Sequence, residues 1–319
     1  ANGGRGLVDM AKPYLDEWLA TEEPHARANV SRCVFRILSH VLFGIDAVPD
    51  ELLEAAATFA SALGSFTAVA PAWVHSLTCH KLQAAYGEPA RYGIASYLLQ
   101  HCNAANPDEQ RGHPFKWAEM ASEVVGDSAE DQTMSYVQSV VDGTLFAGLI
   151  GTSTLIDTTA LPRLRGVYAP NGPRARAEVL PSREEHLELY NADPRAWILE
   201  AVRLQPPVQS TSRVAPEGGM RCPFRGRERT MPEGTFVVAN LYHAGVDPAA
   251  WGEDALDFKP GRPPDAHLNW NGPFGGSAPR QCPGEAFSVA VSKAMLDAWV
   301  SKFGVLGASA ASVQVVQSA

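Results

Sequence analysis

The strongest chemical candidate in the sequence is Cys282, because of the residues that surround it. It follows a run rich in Gly and Pro and comes just before a helix-like stretch that begins at Pro283, Gly284 and Glu285. The free amides and the positive dipole end of a helix start stabilise a thiolate, and Arg280 adds positive charge two residues earlier. Two interpretations stay open at this point, a structural cysteine or a nucleophile, and no constellation of Cys, His and Asn supports the nucleophile.

A second candidate is the pair Glu200 and Arg203, which lies in a stretch with helical periodicity. Three positions apart on a helix, the two side chains project from the same face. An ion pair on a solvated helix is the ordinary interpretation of this spacing. The order of the segments that follow favours a more specific role for this pair. These segments are Pro206-Pro207, Arg213, the run Phe258-Lys-Pro-Gly-Arg262 and the Cys282 loop.

Length and composition describe a chain that folds. With 319 residues, 45% hydrophobic and 19% charged, it holds either two domains or one large helix-rich unit. Its five cysteines are an odd number and contain no Cys-x-x-Cys pair, so neither a disulfide framework nor a zinc ribbon is indicated. We expect reduced thiols and favour a reducing intracellular compartment. None of the scattered histidines is assigned to a metal.

The charge of the chain argues against nucleic acid as a partner. The formal net charge is −9, and Lys and Arg form no long runs. Two local basic clusters, at residues 163–176 and at Arg221 through Arg229, are interpreted as solvated loops. No apolar run is long enough to span a membrane, and the visible start does not resemble a signal peptide. A membrane anchor in a segment before residue 1 stays open.

The first half of the chain is predicted to be helical. Apolar residues from Leu7 to Trp18 recur at spacings of three and four, and Val34 to Phe43 is apolar on nearly all sides. Further helices are predicted to start at Pro49 and to cover Ala55–Ala68, Lys81–His101 and Asp131–Ala160. The last of these carries several glycines, each costing about 1 kcal/mol relative to alanine. Close approach of another helix, or of a flat ligand, would explain them.

The second half of the chain mixes loops, helices and at least one strand. Residues 162–184 are rich in Pro, Gly and Arg and form the one plausible linker. A helix is predicted from Asp193 to Leu204, a strand at Phe236–Leu241, and a final helix at Glu285–Phe303. Residues 243–281 are predicted to be loop.

The order of these motifs resembles the C-terminal half of a cytochrome P450, in which an ExxR helix precedes an arginine-bearing strand, a Phe-x-Pro-x-Arg meander and a cysteine loop. The resemblance implies a mainly α fold with a small β portion and with the first part missing or divergent. It implies a single domain over residues 1–319, with a helical part at 1–160 that includes the long distal helix. Residues 193–303 would then hold the ExxR helix, the meander and the haem-binding loop.

The resemblance also implies a haem b cofactor whose iron is bound by the thiolate of Cys282. Thiolate ligation pushes electron density through the iron and favours cleavage of an O–O bond. Arg213 and Arg280 would pair with the haem propionates, since the planar guanidinium suits carboxylates. Phe274 and Gly284 would belong to the haem loop. A salt-bridged triad that supports the haem-binding face would consist of Glu200, Arg203 and Arg262.

The catalytic residues that the resemblance implies lie in the predicted long helix. Ala147 and Gly148 would lie over the haem face, and Thr152 matches the threonine that helps to deliver protons to bound oxygen. The residue before this threonine is Gly151, where the usual pattern has an acid. Phe274 stands eight residues before the cysteine instead of seven, so the haem loop carries an insertion.

The insertion resembles the branch of allene oxide synthases and hydroperoxide lyases, which rearrange fatty acid hydroperoxides without external electrons. Three functions therefore stay open. The first is monooxygenase-type oxidation of a hydrophobic small molecule, with a reductase or ferredoxin as electron donor, and base rates favour it. The second is hydroperoxide rearrangement or cleavage, and the third is a catalytically quiet haem-binding subunit of a larger assembly.

Overall fold

A computed structural model describes the backbone of about half of the chain. The described residues are 5–43, 45–64, 93–94, 97, 148–156, 183–208, 210–224, 227–263, 270, 282, 284–304 and 306. Single-domain organisation over residues 1–319 stays a prediction, since so much of the chain between residues 65 and 182 lies outside this set.

Three helices open the chain. Helix α1 spans Arg5–Ala20, α2 spans Arg27–Leu38 and continues as a π-helical turn at Ser39–Phe43, and α3 spans Asp50–Gly64. The two helices predicted from Leu7 and Val34 are confirmed. The predicted start at Pro49 and the stretch from Ala55 belong to one helix, because Asp50 and Glu51 place negative charge in its first turn and nothing interrupts it before Gly64.

The long helix predicted at 131–160 is described only in part. Residues 148–156, here called α4, form an α-helical turn at Gly151–Thr154 between π-helical residues on both sides. Of the helix predicted at Lys81–His101, only residues 93–94 and 97 are described, and they are helical. Residues 162–182 of the predicted linker lie outside the described part.

Two consecutive helices follow, α5 at Arg183–Ala192 and α6 at Pro194–Leu204. The second was predicted, and its start is fixed by the Asp193 carboxylate, which accepts a hydrogen bond from the Ala196 amide at 2.9 Å. The first corrects the predicted linker at residues 162–184, because the helix already begins at Arg183. Glu184 and Glu185 favour a helix start there, a signal that the Arg- and Pro-rich residues before them obscured.

Four strands form two antiparallel pairs. Strand β1 (Ser210–Val214) pairs with β4 (Phe236–Asn240), as the predicted strand at Phe236 required. Strand β2 (Met220–Phe224) pairs with β3 (Arg227–Met231). This hairpin corrects the interpretation of Arg221 through Arg229 as solvated loops. The side chains of Arg221, Glu228 and Arg229 are exposed, and Arg221 and Glu228 pair at 3.5 Å on the surface of the hairpin.

Three more helices complete the described fold, α7 at Leu241–Gly245, α8 at Pro248–Trp251 and α9 at Glu285–Phe303. The last was predicted with these limits. The two short helices correct the loop predicted at 243–281. Each begins at a capping side chain, since Asn240 accepts from the His243 amide at 2.9 Å and Asp247 accepts from the Ala249 amide at 3.0 Å.

Helix α9 is the centre of the packing. It contacts α1, α4 and α6, while α2 lies against α1, α3 and α4. The shared core consists of large apolar side chains that are almost fully buried, among them Trp18, Val30, Ile37, Leu149, Ile156, Trp197, Met295 and Trp299. The two sheets lie outside this core. The position of α9 matters for function because its first residue follows Cys282 by only three positions.

The glycines of α4 have different surroundings. A Cβ atom at Gly148 would lie 3.2 Å from Cδ2 of Leu38 on α2, so this glycine permits the close helix approach that the sequence predicted. A Cβ atom at Gly151 would have no described atom outside its own helix within 4 Å. Helix packing therefore accounts for Gly148, whereas no packing contact among the described residues accounts for Gly151.

Alanine substitutions at these two glycines should separate packing from helix propensity. Gly151→Ala should raise the free energy of unfolding by about 0.5–1 kcal/mol, because it removes the entropic penalty of glycine without a clash. The free energy of unfolding of Gly148→Ala should be about 1–3 kcal/mol lower than that of Gly151→Ala, because the new methyl group presses on buried Leu38. Urea denaturation of both variants measures the difference. Equal stabilisation by the two substitutions would contradict the close approach.

Candidate functional site

The site is built around an ion pair inside helix α6. Glu200 and Arg203 are each only 1% exposed. Arg203 donates from Nε to Glu200 Oε2 at 2.8 Å and from Nη2 to Oε1 at 2.7 Å. This bidentate geometry is the strongest arrangement of a guanidinium and a carboxylate. The ordinary interpretation of the Glu-x-x-Arg spacing, a solvated surface pair, is wrong here.

The remaining donors of Arg203 bind the chain that follows the sheets. Nη1 donates to the carbonyl oxygens of Gly245 and Ala255, both at 2.6 Å, and Nη2 donates to that of Asp257 at 3.1 Å. The guanidinium also lies 4.9 Å from the ring centre of Trp251. Gly245 has to be glycine, since a Cβ there would lie 2.3 Å from the Arg203 carbonyl oxygen. Arg203 therefore fixes residues 245–257 against α6.

Arg262 adds a second cation to the same carboxylate. Its Nε donates to Glu200 Oε1 at 3.3 Å, and its side chain is 8% exposed. The backbone amide of Lys259 donates to the same oxygen at 2.9 Å. Three donors thus converge on Oε1, which compensates for the burial of its charge. Glu200, Arg203 and Arg262 are together called the Glu200 network below.

Asp254 extends the network towards the surface. Its Oδ1 accepts from Arg262 Nη1 at 3.1 Å, and its Oδ2 accepts from Lys259 Nζ at 3.0 Å. The hydrogen bond from Lys259, followed by that from Arg262, lowers the pKa of the Asp254 carboxyl. Arg262 therefore joins a buried carboxylate to an ionised one at the surface.

An aromatic cluster holds the same segment from the other side. Phe258 packs edge-on against His186 of α5, with ring centres 4.7 Å apart, and lies 5.5 Å from the ring of Trp197. Trp197 donates from Nε1 to Nδ1 of His186 at 3.2 Å. His186 is 3% exposed, so its ring is part of the core. Sequence analysis missed this role of His186, and the only signal for it was its spacing of four from Tyr190.

Cys282 lies at the start of α9 and is a half-buried free thiol. Its amide donates to the carbonyl oxygen of Trp270 at 2.9 Å, and its own carbonyl accepts from the Glu285 amide at 3.4 Å. A Cβ at Gly284 would lie 3.6 Å from its Sγ, so the sulfur rests against the bare backbone of the first turn. A reachable sulfur donor cradled by glycine at a helix start fits a large thiolate-ligated cofactor.

Thr152 lies in α4, which packs against both α2 and α9. It is 1% exposed, and its Oγ1 has no hydrogen-bond partner among the residues that the structure describes. Buried hydroxyl groups are normally paired, so this oxygen is a candidate for a hydrogen bond to a bound molecule. Its helix contacts the helix that begins beside Cys282, which places both candidates on elements in direct contact.

The other predicted site residues are described in part or not at all. Arg213 lies in β1 with its backbone opposite Val237, but its side chain is outside the described part. Ala147, Phe274 and Arg280 also lie outside the described residues. The structure therefore brings together Glu200, Arg203 and Arg262, and it places Cys282 beside Gly284.

Within the described ranges, no three His, Cys, Asp or Glu side chains cluster in a way that could hold a metal ion. Among the same residues, no helix is both long and apolar enough to cross a membrane.

Comparison with known proteins points to one family. Residues 195–314 match the family model described as cytochrome P450. The chain is 35% identical over 114 residues to cytochrome P450 71A23 of Arabidopsis thaliana, an alignment that covers 32% of this chain and 21% of that protein. It is 43% identical over 94 residues to cytochrome P450 monooxygenase xanG of Aspergillus fumigatus, which covers 28% of this chain and 17% of that one. The chain thus aligns with about a fifth of the length of these relatives.

Solved structures extend the likeness to nearly the whole chain. Ligand-free cytochrome P450 TbtJ1 aligns with a TM-score of 0.59 and 18% identity, over 94% of this chain and 69% of that one. The open form of cytochrome P450 EryK from S. erythraea aligns with a TM-score of 0.60 and 17% identity, over 96% and 70%. At this identity the likeness shows the fold, and the predicted class, mainly α with a small β portion, is confirmed.

Removing Glu200 should be far more damaging than removing a surface carboxylate. Glu200→Ala leaves the buried Arg203 guanidinium without its counter-charge, which should cost about 3–5 kcal/mol of unfolding free energy. Arg262→Ala should lower the unfolding free energy by less, because Glu200 would still accept hydrogen bonds from Arg203 and from the Lys259 amide. Asp16→Ala, which breaks the exposed Lys12–Asp16 pair, is the control and should cost no more than about 0.5 kcal/mol. Denaturant titration gives all three values, and a Glu200→Ala cost as small as the control would contradict the assigned burial.

Proposed function

We propose that this protein is a haem-thiolate oxidoreductase acting on a hydrophobic small molecule, and the match of residues 195–314 to the cytochrome P450 family model supports the proposal. In this proposal Cys282 would hold the iron of a haem b through its thiolate. The single observation that carries it is the half-buried free thiol of Cys282 beside Gly284 at the start of α9. A haem held by a thiolate supplies oxygen chemistry, because the sulfur donates electron density that favours O–O cleavage.

Each residue of the site has a part in this proposal. The Cys282 sulfur would hold the iron, and Gly284 keeps the near side of the sulfur free of a side chain. The free amides at the start of α9 favour the negative charge of the thiolate. Glu200, Arg203 and Arg262 hold the meander against α6, so their role is to position the cysteine-bearing loop. The side chains that would pair with the haem propionates are those of Arg213 and Arg280, and Phe274 would pack in the haem loop.

Thr152 of α4 is the proposed proton-transfer residue. Its buried Oγ1 can accept a proton and donate another, and no described partner competes for it. The small residues Gly148 and Ala147 would allow this helix to approach the haem closely. The packing of Gly148 against Leu38 already explains that glycine. We place monooxygenase-type oxidation first, supplied with electrons by a reductase or ferredoxin. Support comes from the relative that is named a monooxygenase.

A second function is favoured by one specific observation, that residue 151, directly before Thr152, is a glycine and not an acid. A carboxylate at this position would help to bring protons from solvent, and glycine brings none. A substrate that already carries a hydroperoxide needs no external electrons, so it would avoid this requirement. Fatty acid hydroperoxide rearrangement or cleavage is therefore the alternative, and the insertion before Cys282 supports it as well.

Binding of haem by Cys282 should be visible in the reactivity of the thiols. In the haem-free protein, iodoacetamide should label half-buried Cys282, while Cys33 should stay protected because burial raises the pKa of its thiol. Loading with haem should slow labelling of Cys282 by about tenfold or more. Peptide mapping by mass spectrometry separates the two sites. Unchanged labelling of Cys282 in the haem-loaded protein would exclude it as the ligand.

The two enzyme functions should separate by their need for electrons. If the chain is a monooxygenase, oxidised product should form with NADPH and a reductase, and a fatty acid hydroperoxide alone should be consumed slowly. If it is a hydroperoxide enzyme, the hydroperoxide should disappear rapidly without any reductant. This reaction should need no acid at position 151, so it should proceed without the substitution Gly151→Asp. Product analysis by mass spectrometry decides between them. Haem binding with neither reaction would overturn both and leave a catalytically quiet haem protein.

A further inference from the structure

An ion pair joins α6 directly to the start of α9. Arg195, the second residue of α6, donates from Nη2 to Oε1 of Glu285, the first residue of α9, at 2.9 Å. The Arg195 side chain is 56% exposed and that of Glu285 is 21% exposed. The two residues are 90 positions apart in sequence, so the pair is a tertiary contact between two helices. Neither residue was among the predicted site residues.

Glu285 is tied to Cys282 through the backbone of the same helical turn. Its amide donates to the Cys282 carbonyl at 3.4 Å, and its carbonyl accepts from the Ser288 hydroxyl at 3.1 Å. The Ser288 amide donates in turn to the Gly284 carbonyl at 2.8 Å. The backbone of Glu285 is therefore fixed in the turn on which the Cys282 sulfur rests.

This arrangement places two negative charges at one helix start if Cys282 is a thiolate. The positive dipole end of α9 favours either charge, but the two charges repel each other. Arg195 supplies the compensating positive charge, and it comes from the same helix that carries Glu200. Helix α6 thus contacts the meander through Glu200 and the cysteine-bearing turn through Arg195.

We propose that Arg195 is a positioning residue that sets the electrostatic environment of the Cys282 sulfur by pairing with Glu285. The inference rests on the proposed function, because it needs a haem bound through that sulfur. Without Arg195, the bare Glu285 carboxylate would stabilise the ferric state relative to the ferrous state. Without Glu285, the bare Arg195 guanidinium would have the opposite effect. A bond that served only to hold the helices together would give no such difference in sign.

The test measures the ferrous-to-ferric ratio of the haem-loaded protein at a fixed solution potential set by redox dyes. Arg195→Gln should lower the ratio and Glu285→Gln should raise it, each by about threefold, as expected for a partly exposed pair. The double variant should return close to the wild-type ratio. Arg195→Lys keeps the charge and should also stay close to it. Lys12→Gln, which breaks the exposed pair with Asp16 on α1, is the control and should give no shift.

Results of another kind would overturn the inference. Shifts of the same sign in Arg195→Gln and Glu285→Gln, or no shift in either, would show that the pair does not act on the iron site through charge. If Arg195→Gln fails to retain haem, the inference still requires Glu285→Gln to raise the ferrous-to-ferric ratio and Arg195→Lys to leave it unchanged, and any other result for these two variants would overturn it. The absorption spectrum of the wild-type protein is recorded first. A wild-type protein that binds no haem through sulfur would refute the proposed function itself, a result distinct from unshifted variants of a thiolate-ligated protein.

Discussion

The buried ion pair between Glu200 and Arg203 is the interaction on which the described C-terminal structure depends. Two charges inside a protein are expensive to desolvate, and their attraction offsets this only with near-ideal geometry and full hydrogen bonding. Both conditions hold here. The guanidinium donates twice to the carboxylate and three more times to backbone carbonyls, and Glu200 Oε1 accepts from Arg203, Arg262 and the Lys259 amide. The pair therefore fixes the backbone path of residues 245–262, because only one path supplies all of its hydrogen-bond partners.

Helix α6 connects the Glu200 network to the region of Cys282. The middle of α6 holds the meander through the Glu200 network, its Trp197 packs on Phe258 of the same meander, and its first turn contacts α9 through Arg195. Helix α9 in turn contacts α1, α4 and α6. A cysteine placed just before α9 is thus located by two rigid elements, although it lies in a loop itself. Such support is what a ligand needs if it is to hold a large cofactor in one orientation.

The limits of α6 and α9 were predictable because their signals are local: an Asp cap with proline at the first helical position, an acidic first turn and apolar residues at helical spacing. The order of Glu200, Arg213, Arg262 and Cys282 indicated the fold by its resemblance to a known family, because these residues are far apart in sequence. Helices α7 and α8 also begin at local caps, Asn240 and Asp247, but they are only five and four residues long and are held by Arg203 through Gly245 and Trp251. Helix α5 has an acidic first turn and is further stabilised by the packing of His186 and Tyr190 against Trp197. The burial of Glu200 and Arg203, and the pair between Arg195 and Glu285, arise only when distant segments meet.

The central claim is that the Glu200 network and α9 hold Cys282 where its sulfur ligates a haem iron. The carbon monoxide difference spectrum of the reduced, haem-loaded protein tests this most directly, because the position of its main band depends on the atom opposite the carbon monoxide. The account predicts the strongly red-shifted band that marks a thiolate ligand, and its loss in Cys282→Ser. A protein that binds haem but gives the band of a nitrogen-ligated or weakly ligated haem, unchanged in Cys282→Ser, would contradict it.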